Sequence, residues 1–354
     1  MSLGIQATQL NLLIRADASA QIGTGHIMRC LALAQAWQVE GNEVMFLMGT
    51  CAPDLESRLR SEGCAVTHHE ELLGSRTDGD RTIALAQDLK TEIVVVDGYH
   101  FGAAYQLQLK QAGLRVLFID DNGHAEHYYS DWVLNQNIYA HAGLYPHKAS
   151  YTQLLLGTRY ALLRKEFWPW RDWQREFAPS PHKILVTLGG SDPNNVTLKV
   201  IQALQQLETD TLEVVVVVGA SNPHYEKLQG AIKTGKHQIE LQSNVINMPE
   251  LMAWADMAIT AGGSTCWELA FMQLPSLVIT IAENQIETVK HLHSKGCFLH
   301  VGWHENISVN TIARQIYILR RKQEYRHQLS LSARDMINTQ GLAHLLKALQ
   351  TNRI

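Results

Sequence analysis

Asn11-Leu12-Leu13-Ile14 is an apolar run that passes through Arg15-Ala16-Asp17-Ala18-Ser19 into Gly23-Thr24-Gly25-His26, and Ile27 to Val39 then carries an amphipathic pattern. A strand thus empties through a glycine-rich turn onto a helix that starts at a histidine. Gly23 and Gly25 let the backbone approach a ligand closely, and the free N–H groups at a helix start favour anions or developing negative charge. A neutral imidazole at that place is set to take a proton from water, which makes His26 the candidate catalytic base.

Outward from this turn, β-branched runs alternate with helical patterns. Glu43–Met48, Ala65–His68, Ile93–Val96, Val116–Ile119 and Trp132–Leu134 read as further strands, and Arg81–Leu89 and Ala104–Gln111 as helices. Gly41 and Gly113 follow helical patterns where a left-handed cap is wanted. The rhythm restarts at Lys183–Leu188, after an aromatic and proline-rich stretch from Phe167 to Pro181, and continues through Val214–Val218, Ile239–Leu241, Met257–Thr260 and Leu277–Thr280. Helices are expected over about 195–207, 250–254, 266–272 and 285–294, with a long polar helical tail from Val309.

This is the rhythm of parallel α/β structure. Because 354 residues exceed one ordinary core, the expectation is an α/β architecture of two Rossmann-like domains whose parallel sheets face a cleft. Residues 10–165 would carry the histidine loop and residues 166–335 the second domain. Residues 336–354 would form a terminal helix that packs back on the first.

A formal net charge of −4 argues against a nucleic-acid surface, and no apolar stretch is long enough to span a bilayer. The five cysteines are odd in number and lack C-x-x-C pairing, so neither a disulfide framework nor a zinc site is expected. The chain reads as cytoplasmic, with no membrane partner; its oligomeric state is left open, and a monomer is compatible with it.

Two more strand-to-helix turns are glycine-rich: Leu188-Gly189-Gly190-Ser191-Asp192-Pro193-Asn194-Asn195, and Thr260-Ala261-Gly262-Gly263-Ser264-Thr265 leading to Trp267-Glu268. Neither is a Walker loop or fits the dinucleotide spacing, and a double glycine after a strand is by itself commonly tight packing. Three such turns at one cleft point to a nucleotide-sugar or a similar phosphorylated ligand, with Gly190, Ser191, Gly263, Ser264 and Thr265 offering amides and hydroxyls. Glu268, on a first helical turn, suits vicinal ribose hydroxyls as well as it suits the helix dipole.

The stretch Ala255-Asp256 through Ile259-Thr260-Ala261-Gly262-Gly263-Ser264-Thr265-x-Trp267-Glu268 to Leu274-Pro275-Ser276, with Glu283-Asn284-Gln285, resembles the nucleotide-binding half of GT-B glycosyltransferases of the lipid-II-forming kind. The first half is more specific. Arg15 to Leu31, with Val96-Asp97-x-Tyr99, Ile119-Asp120-Asp121 and Leu156-Gly157-x-x-Tyr160-x-Leu162-Leu163-Arg164-x-Glu166-Phe167, resembles the UDP-2,4-diacetamido-2,4,6-trideoxy-β-L-altropyranose hydrolases of pseudaminic acid biosynthesis. That resemblance implies an inverting, metal-independent hydrolysis without a cofactor, releasing UDP and the free sugar. It carries the base onto His26, a diphosphate-side asparagine onto Asn195 (or Asn194, one position away), a ribose-side glutamate onto Glu268, and uracil recognition onto backbone around Val245-Ile246-Asn247.

Other candidates stand second. Asp17 could orient the imidazole and Arg15 could touch a phosphate, or the two could form a structural pair. Tyr99 could reach diphosphate or sugar, or be a half-buried packing residue; Asn284 and Gln285 could hold sugar hydroxyls or simply form a turn. His68-His69, His124-x-x-His127, His291-x-His293 and Asp120-Asp121 complete no metal-ligand pattern, so no metal is expected. A glycosyltransferase would share the nucleotide half but need an acceptor site. A non-catalytic nucleotide-sugar binder would have no use for the histidine.

Overall fold

The computed structural model describes residues 11–19, 22–190, 192–219, 222–233 and 235–351. The first half opens on β1 (Leu12–Ala16), α1 (Gly25–Val39), β2 (Val44–Met48), α2 (Pro53–Ser61), β3 (Ala65–His68) and α3 (Arg76–Asp88). It continues with β4 (Ile93–Asp97), α4 (Ala103–Gln111), β5 (Arg115–Ile119), β6 (Trp132–Asn135) and β7 (Gln153–Leu156). These strands form one parallel seven-stranded sheet in the order β3-β2-β1-β4-β5-β6-β7.

A connection of short 3₁₀ turns leads to β8 (Lys183–Thr187), α5 (Val196–Gln205), β9 (Glu213–Val218), α6 (Tyr225–Ile232), β10 (Gln238–Ser243), α7 (Met248–Trp254) and β11 (Met257–Ala261). Then come α8 (Thr265–Phe271), β12 (Ser276–Thr280), α9 (Ile286–Ser294) and β13 (Leu299–Trp303). The second sheet is parallel and six-stranded, ordered β10-β9-β8-β11-β12-β13. Two doubly wound halves facing a cleft are therefore the architecture, as the alternating pattern indicates.

The central strands β1, β4, β11 and β12 are buried along their whole length, which is why they read as unbroken apolar runs. In each sheet the order reverses between two neighbours, β1 and β4 in the first and β8 and β11 in the second. Loops leaving such a pair diverge and open a crevice at the strand C-termini. Ala16 pairs with Asp97 at one switch point and Thr187 with Thr260 at the other, so the histidine turn and both later glycine turns start from these crevices.

Gly41 and Gly113 both adopt positive φ, at 83° and 84°, immediately past α1 and α4, as their positions indicate. All five cysteines are free thiols. The polar tail from Val309 comprises α10 (Val309–Arg321) and α11 (Gln323–Met336), broken where Lys322 leaves the helical region at φ −103° and ψ 84°, and the terminal helix is α12 (Gly341–Thr351). α12 buries Leu342, Leu345, Leu346 and Leu349 in the core cluster that contains β1 and α1.

Candidate active site

His26 is the second residue of α1 and is buried. Its Nδ1 lies 2.6 Å from Asp97 Oδ1, at the end of β4. A nitrogen that close to a carboxylate oxygen must carry the proton, so Nδ1–H donates to Asp97 and the Nε2 lone pair is left free. Arg29, one helical turn on, donates to the same carboxylate from Nε and from a terminal nitrogen, both at 2.6 Å. Burial alone would raise the Asp97 carboxyl, but the Arg29 charge, then His26, hold it well below the usual carboxylate range. Asp97 is thus a fixed anion that sets the tautomer and orientation of the imidazole.

Arg29 also forks onto Asp121, with bonds of 2.9 and 2.8 Å to its two oxygens. Asp121 in turn accepts from the Tyr99 hydroxyl at 3.0 Å and from Asn137 Nδ2 at 2.7 Å. Tyr99 is 40% exposed, stands edge-on to His26 at 5.0 Å between ring centroids, and has Asn284 of the other domain near its hydroxyl. Its neighbour Asp120 is structural: the carboxylate accepts the amides of Asn122 and Gly123, His124 Nδ1 and the Tyr128 hydroxyl.

Arg15 and Asp17 point away from this chemistry. The Arg15 guanidinium, fully buried, grips Asp78 at 2.9 Å through two nitrogens and Asp17 at 2.6 Å. The other Asp17 oxygen accepts the amides of Gly49 and Thr50. Both are committed to a buried ion network beneath the turn, so the phosphate contact and the imidazole-orienting role considered for them are not supported; Asp97 does the orienting. The sequence places Asp97 in a motif but gives it no task, and Arg29 and Asp121 equally go unassigned. The available signal was their position, since Asp97 ends β4 and Asp121 closely follows β5, at the end of the sheet where a crevice opens.

In the second domain the turn after β8 departs from expectation. Asp192 is buried and its carboxylate accepts the amides of Val196 and Thr197, at 2.9 and 2.7 Å. The start of α5 is therefore already capped by a carboxylate and is not free for a diphosphate. What the turn does offer is Asn195, held at φ 50° in the left-handed region, whose side-chain oxygen and nitrogen are buried without a protein partner. Asn194 is exposed, 3.4 Å from His304 Nε2. Ser191 lies outside the described residues.

After β11, Ser264 precedes α8 without a side-chain cap bond. Gln285 Oε1 accepts the amides of Gly262, at 3.2 Å, and Ile281, at 3.1 Å, so this side chain braces the glycine turn rather than facing the cleft. Glu268 Oε1 takes two bonds from Arg164, at 3.0 and 2.8 Å, which leaves Oε2 available. Burial pushes the Glu268 carboxyl up, offset only in part by Arg164. Ile246, in the loop before α7, is 58% exposed.

The turns meet across the cleft. A side chain at Gly25 would stand 3.8 Å from Ser264 Oγ, and one at Gly190 would lie 2.7 Å from Thr24 Oγ1. The absence of a Cβ at Gly190 lets the two domains approach there. Gly23, with φ 82°, supplies the left-handed step before α1. The structure thus gathers His26, Tyr99, Gly25, Gly190, Ser264 and Asn284 along one seam, and Arg164, the last residue before the connection's final 3₁₀ turn, links that connection to Glu268. Among the described residues, no three His, Cys, Asp or Glu side chains are grouped as a metal would need.

Residues 184–345 match the model of the glycosyltransferase family 28 C-terminal domain. The chain is 29% identical over 292 residues to the UDP-2,4-diacetamido-2,4,6-trideoxy-beta-L-altropyranose hydrolase of Campylobacter jejuni, covering 81% of this chain and 97% of that one. The resemblance read from the histidine turn is thereby upheld. The uncharacterized protein MJ1062 of Methanocaldococcus jannaschii is 25% identical over 285 residues, 78% of this chain, and the match spans only 57% of that longer protein. Among solved structures, MurG of Acinetobacter baumannii superposes with a TM-score of 0.65 at 18% identity, covering 97% of this chain and 99% of that one; this likeness establishes the GT-B fold. These relatives support a UDP-sugar-related enzyme.

Proposed function

We propose that the protein hydrolyses a UDP-linked diacetamido-trideoxyhexose, UDP-2,4-diacetamido-2,4,6-trideoxy-β-L-altropyranose or a close stereochemical relative, at its anomeric C–O bond. The observation that carries this reading is the buried His26–Asp97 pair on the face opposite the nucleotide-binding half. Water attacks the anomeric carbon with inversion, its proton passes to His26 Nε2, and the bonding electron pair leaves with UDP. Asp97 stabilises the imidazolium that forms, as a carboxylate behind a histidine does in hydrolytic triads. No cofactor or metal takes part in this scheme.

Residues 10–165 supply the base, residues 166–335 hold the nucleotide, and α12 ties back to the first domain. Asn195 and the Gly263-Ser264-Thr265 turn meet the leaving diphosphate, Glu268 Oε2 accepts from the ribose hydroxyls, and backbone near Ile246 reads the uracil. Tyr99 and Asn284 flank the sugar. The reaction is placed in the cytoplasm; no helix among the described residues is long and apolar enough to cross a membrane.

The match of residues 184–345 to a glycosyltransferase domain favours one competing reading, transfer of the sugar to an acceptor. Measuring UDP release from the UDP-sugar in ¹⁸O-labelled water, without acceptor and with EDTA, separates the two. Hydrolysis at carbon puts the label on the anomeric oxygen and continues under chelation. Label in UDP, a requirement for an acceptor, or loss of turnover restored by a divalent metal would each overturn the corresponding part of the proposal.

A further inference from the structure

His26, Asp97, Arg29 and Asp121 form one chain of charge. One Arg29 nitrogen lies 3.2 Å from His26 Nδ1 and donates to Asp97 at 2.6 Å, and the other terminal nitrogen forks onto both Asp121 oxygens. A guanidinium in contact with an imidazole disfavours the imidazolium, while a carboxylate favours it. With Asp97 and Arg29 alone, a proton arriving on His26 would create a net positive charge in a buried site, because these two already cancel. Asp121 changes the count: with it the cluster carries one net negative charge beside a neutral His26, and none once His26 is protonated. The side chains of Asp97, Arg29 and Asp121 are 0%, 8% and 13% exposed, so water screens this sum only weakly.

The surrounding groups leave the count as it is. Tyr99 donates its hydroxyl to Asp121 and stands edge-on to His26, Asn137 donates to Asp121, the Tyr139 hydroxyl bonds the Asp121 carbonyl, and the Cys30 thiol donates to Asp97 at 3.4 Å. Burial pushes Tyr99, Tyr139 and Cys30 up, so all three stay neutral. Asp120, next in sequence, is paired with His124 at 3.0 Å. From the second domain come Asn284, near the Tyr99 hydroxyl, and Ser264, near Gly25, both uncharged. Resting on the hydrolase reading above, we propose that Asp121 is a positioning residue that acts through Arg29: its charge lets the proton that leaves water for His26 Nε2 neutralise the site instead of charging it. As that proton arrives, the water oxygen bonds the anomeric carbon and the bonding pair of the C–O bond to UDP leaves with UDP. Arg29 can then hold Asp97 fixed and ionised beside the base without opposing the base.

The test is the pH dependence of kcat/KM for UDP release from the UDP-sugar, read on the acid side, where protonation of the base stops turnover. Asp121→Asn keeps the shape of the side chain and removes its charge, so the acid limb should move down by about one pH unit while plateau kcat falls by about three- to tenfold. Arg29→Met combined with Asp121→Asn restores the single net negative charge and should bring the limb back to the wild-type position. Tyr99→Phe cuts the bond to Asp121 without changing charge, and should leave the limb in place whatever it does to KM. A limb unmoved in Asp121→Asn, a double variant that stays with Asp121→Asn, or a limb that moves equally in Tyr99→Phe would overturn the proposal and leave the hydrolase reading standing. Should Asp121→Asn or the double variant not fold, Arg29→Met decides: it leaves two carboxylates and no guanidinium, so its limb should move to higher pH, and an unmoved limb there would equally overturn the proposal. Absence of UDP release from wild-type protein, or a wild-type rate without an acid limb, would instead remove the reading on which this rests.

Discussion

Replacing Asp97 with asparagine tests the base most directly, because it keeps the shape of the side chain and removes only its charge. Asp97 Oδ1 faces His26 Nδ1 and an Arg29 nitrogen, and Oδ2 faces Arg29 Nε, all at 2.6 Å. An amide can satisfy only part of this. With its oxygen toward His26, the tautomer survives but the imidazolium formed in the reaction loses a carboxylate counter-charge at contact distance, which costs roughly 10²-fold in kcat. With its nitrogen toward His26, Nδ1 becomes the acceptor, the proton moves to Nε2, and the base is disabled; the loss then approaches about 10⁴-fold, or about 5 kcal/mol of barrier. The expected fall in kcat is therefore about 10²–10⁴-fold, with little change in affinity for UDP. Arg29 keeps Asp121 as a partner, so the fold survives with a loss of about 3 kcal/mol, or a drop in Tm of about 6–12 °C. UDP release assayed well below the melting temperature is the measurement. A folded Asp97→Asn protein with kcat within about threefold of wild type would show that His26 does not depend on this carboxylate, and the base assignment would fail with it.

His26→Asn should lower kcat by about 10²–10⁴-fold with UDP affinity nearly unchanged, checked by steady-state kinetics beside UDP titration. Glu268→Gln removes charge-assisted acceptance at Oε2 and weakens the Arg164 pair, so KM for the UDP-sugar should rise more than kcat falls; an intact KM with a collapsed kcat would place this carboxylate at the reacting centre instead. Burial would raise Asp17, but the His100 ring nitrogen 3.1 Å from its carboxylate, the Arg15 charge and the amides of Gly49 and Thr50 hold it at about 2 against an ordinary 3.8. A folded pKa below the unfolded one stabilises above pH about 4 and is lost as pH falls toward about 2, so Tm should hold down to pH about 5 and then drop. Asp17→Asn should melt lower at pH 7 and show a shallower acid decline, and an acid decline as steep as wild type would contradict the ion network described here.

The legible parts of the fold were those whose physical requirement is local. A parallel strand buried on both faces must be an apolar run, so Ile93–Asp97 and Met257–Ala261 were readable, and a helix that turns back after its last turn wants a glycine, which Gly41 and Gly113 provide. Two of the four edge strands lack that signature. β7, Gln153–Leu156, is short and partly exposed, and β13, Leu299–Trp303, is half-buried throughout beside a register shift in β12, so neither reads as a strand. α2 was missed because it buries only Leu55 and Leu59, although Pro53 at its start and the Asp54, Glu56, Arg58 and Arg60 order along it are ordinary helix signals. The same division holds in the site. His26 was legible from its turn, whereas Arg15 has its decisive partner at Asp78, a contact no spacing reveals. Asp192 was read as part of an anion-binding turn, yet an aspartate just before a helix is as readily its cap, and here that is what it does.

The arrangement also explains why the kinetic effects should separate. His26, Arg29, Asp97 and Asp121 all belong to one sheet and its connecting elements, and their mutual bonds need nothing from the second domain. The orientation of the His26 imidazole is therefore built into the first domain alone. Asn195, the turn after β11 and Glu268 belong to the other sheet, and Arg164, bonded to Glu268, and Tyr139, whose ring lies against that of His291, are contacts by which the connection and the first domain reach that half. Under the proposed function, nucleotide binding in that half would fix how far the anomeric carbon stands from an already oriented imidazole, rather than whether the imidazole is competent. Changes on the second sheet should consequently appear first in KM and changes within the Asp97 network in kcat. A substitution at Arg164, touching Glu268 from the connection, should raise KM as Glu268→Gln does, because what it disturbs is the seat of the nucleotide and not the proton transfer.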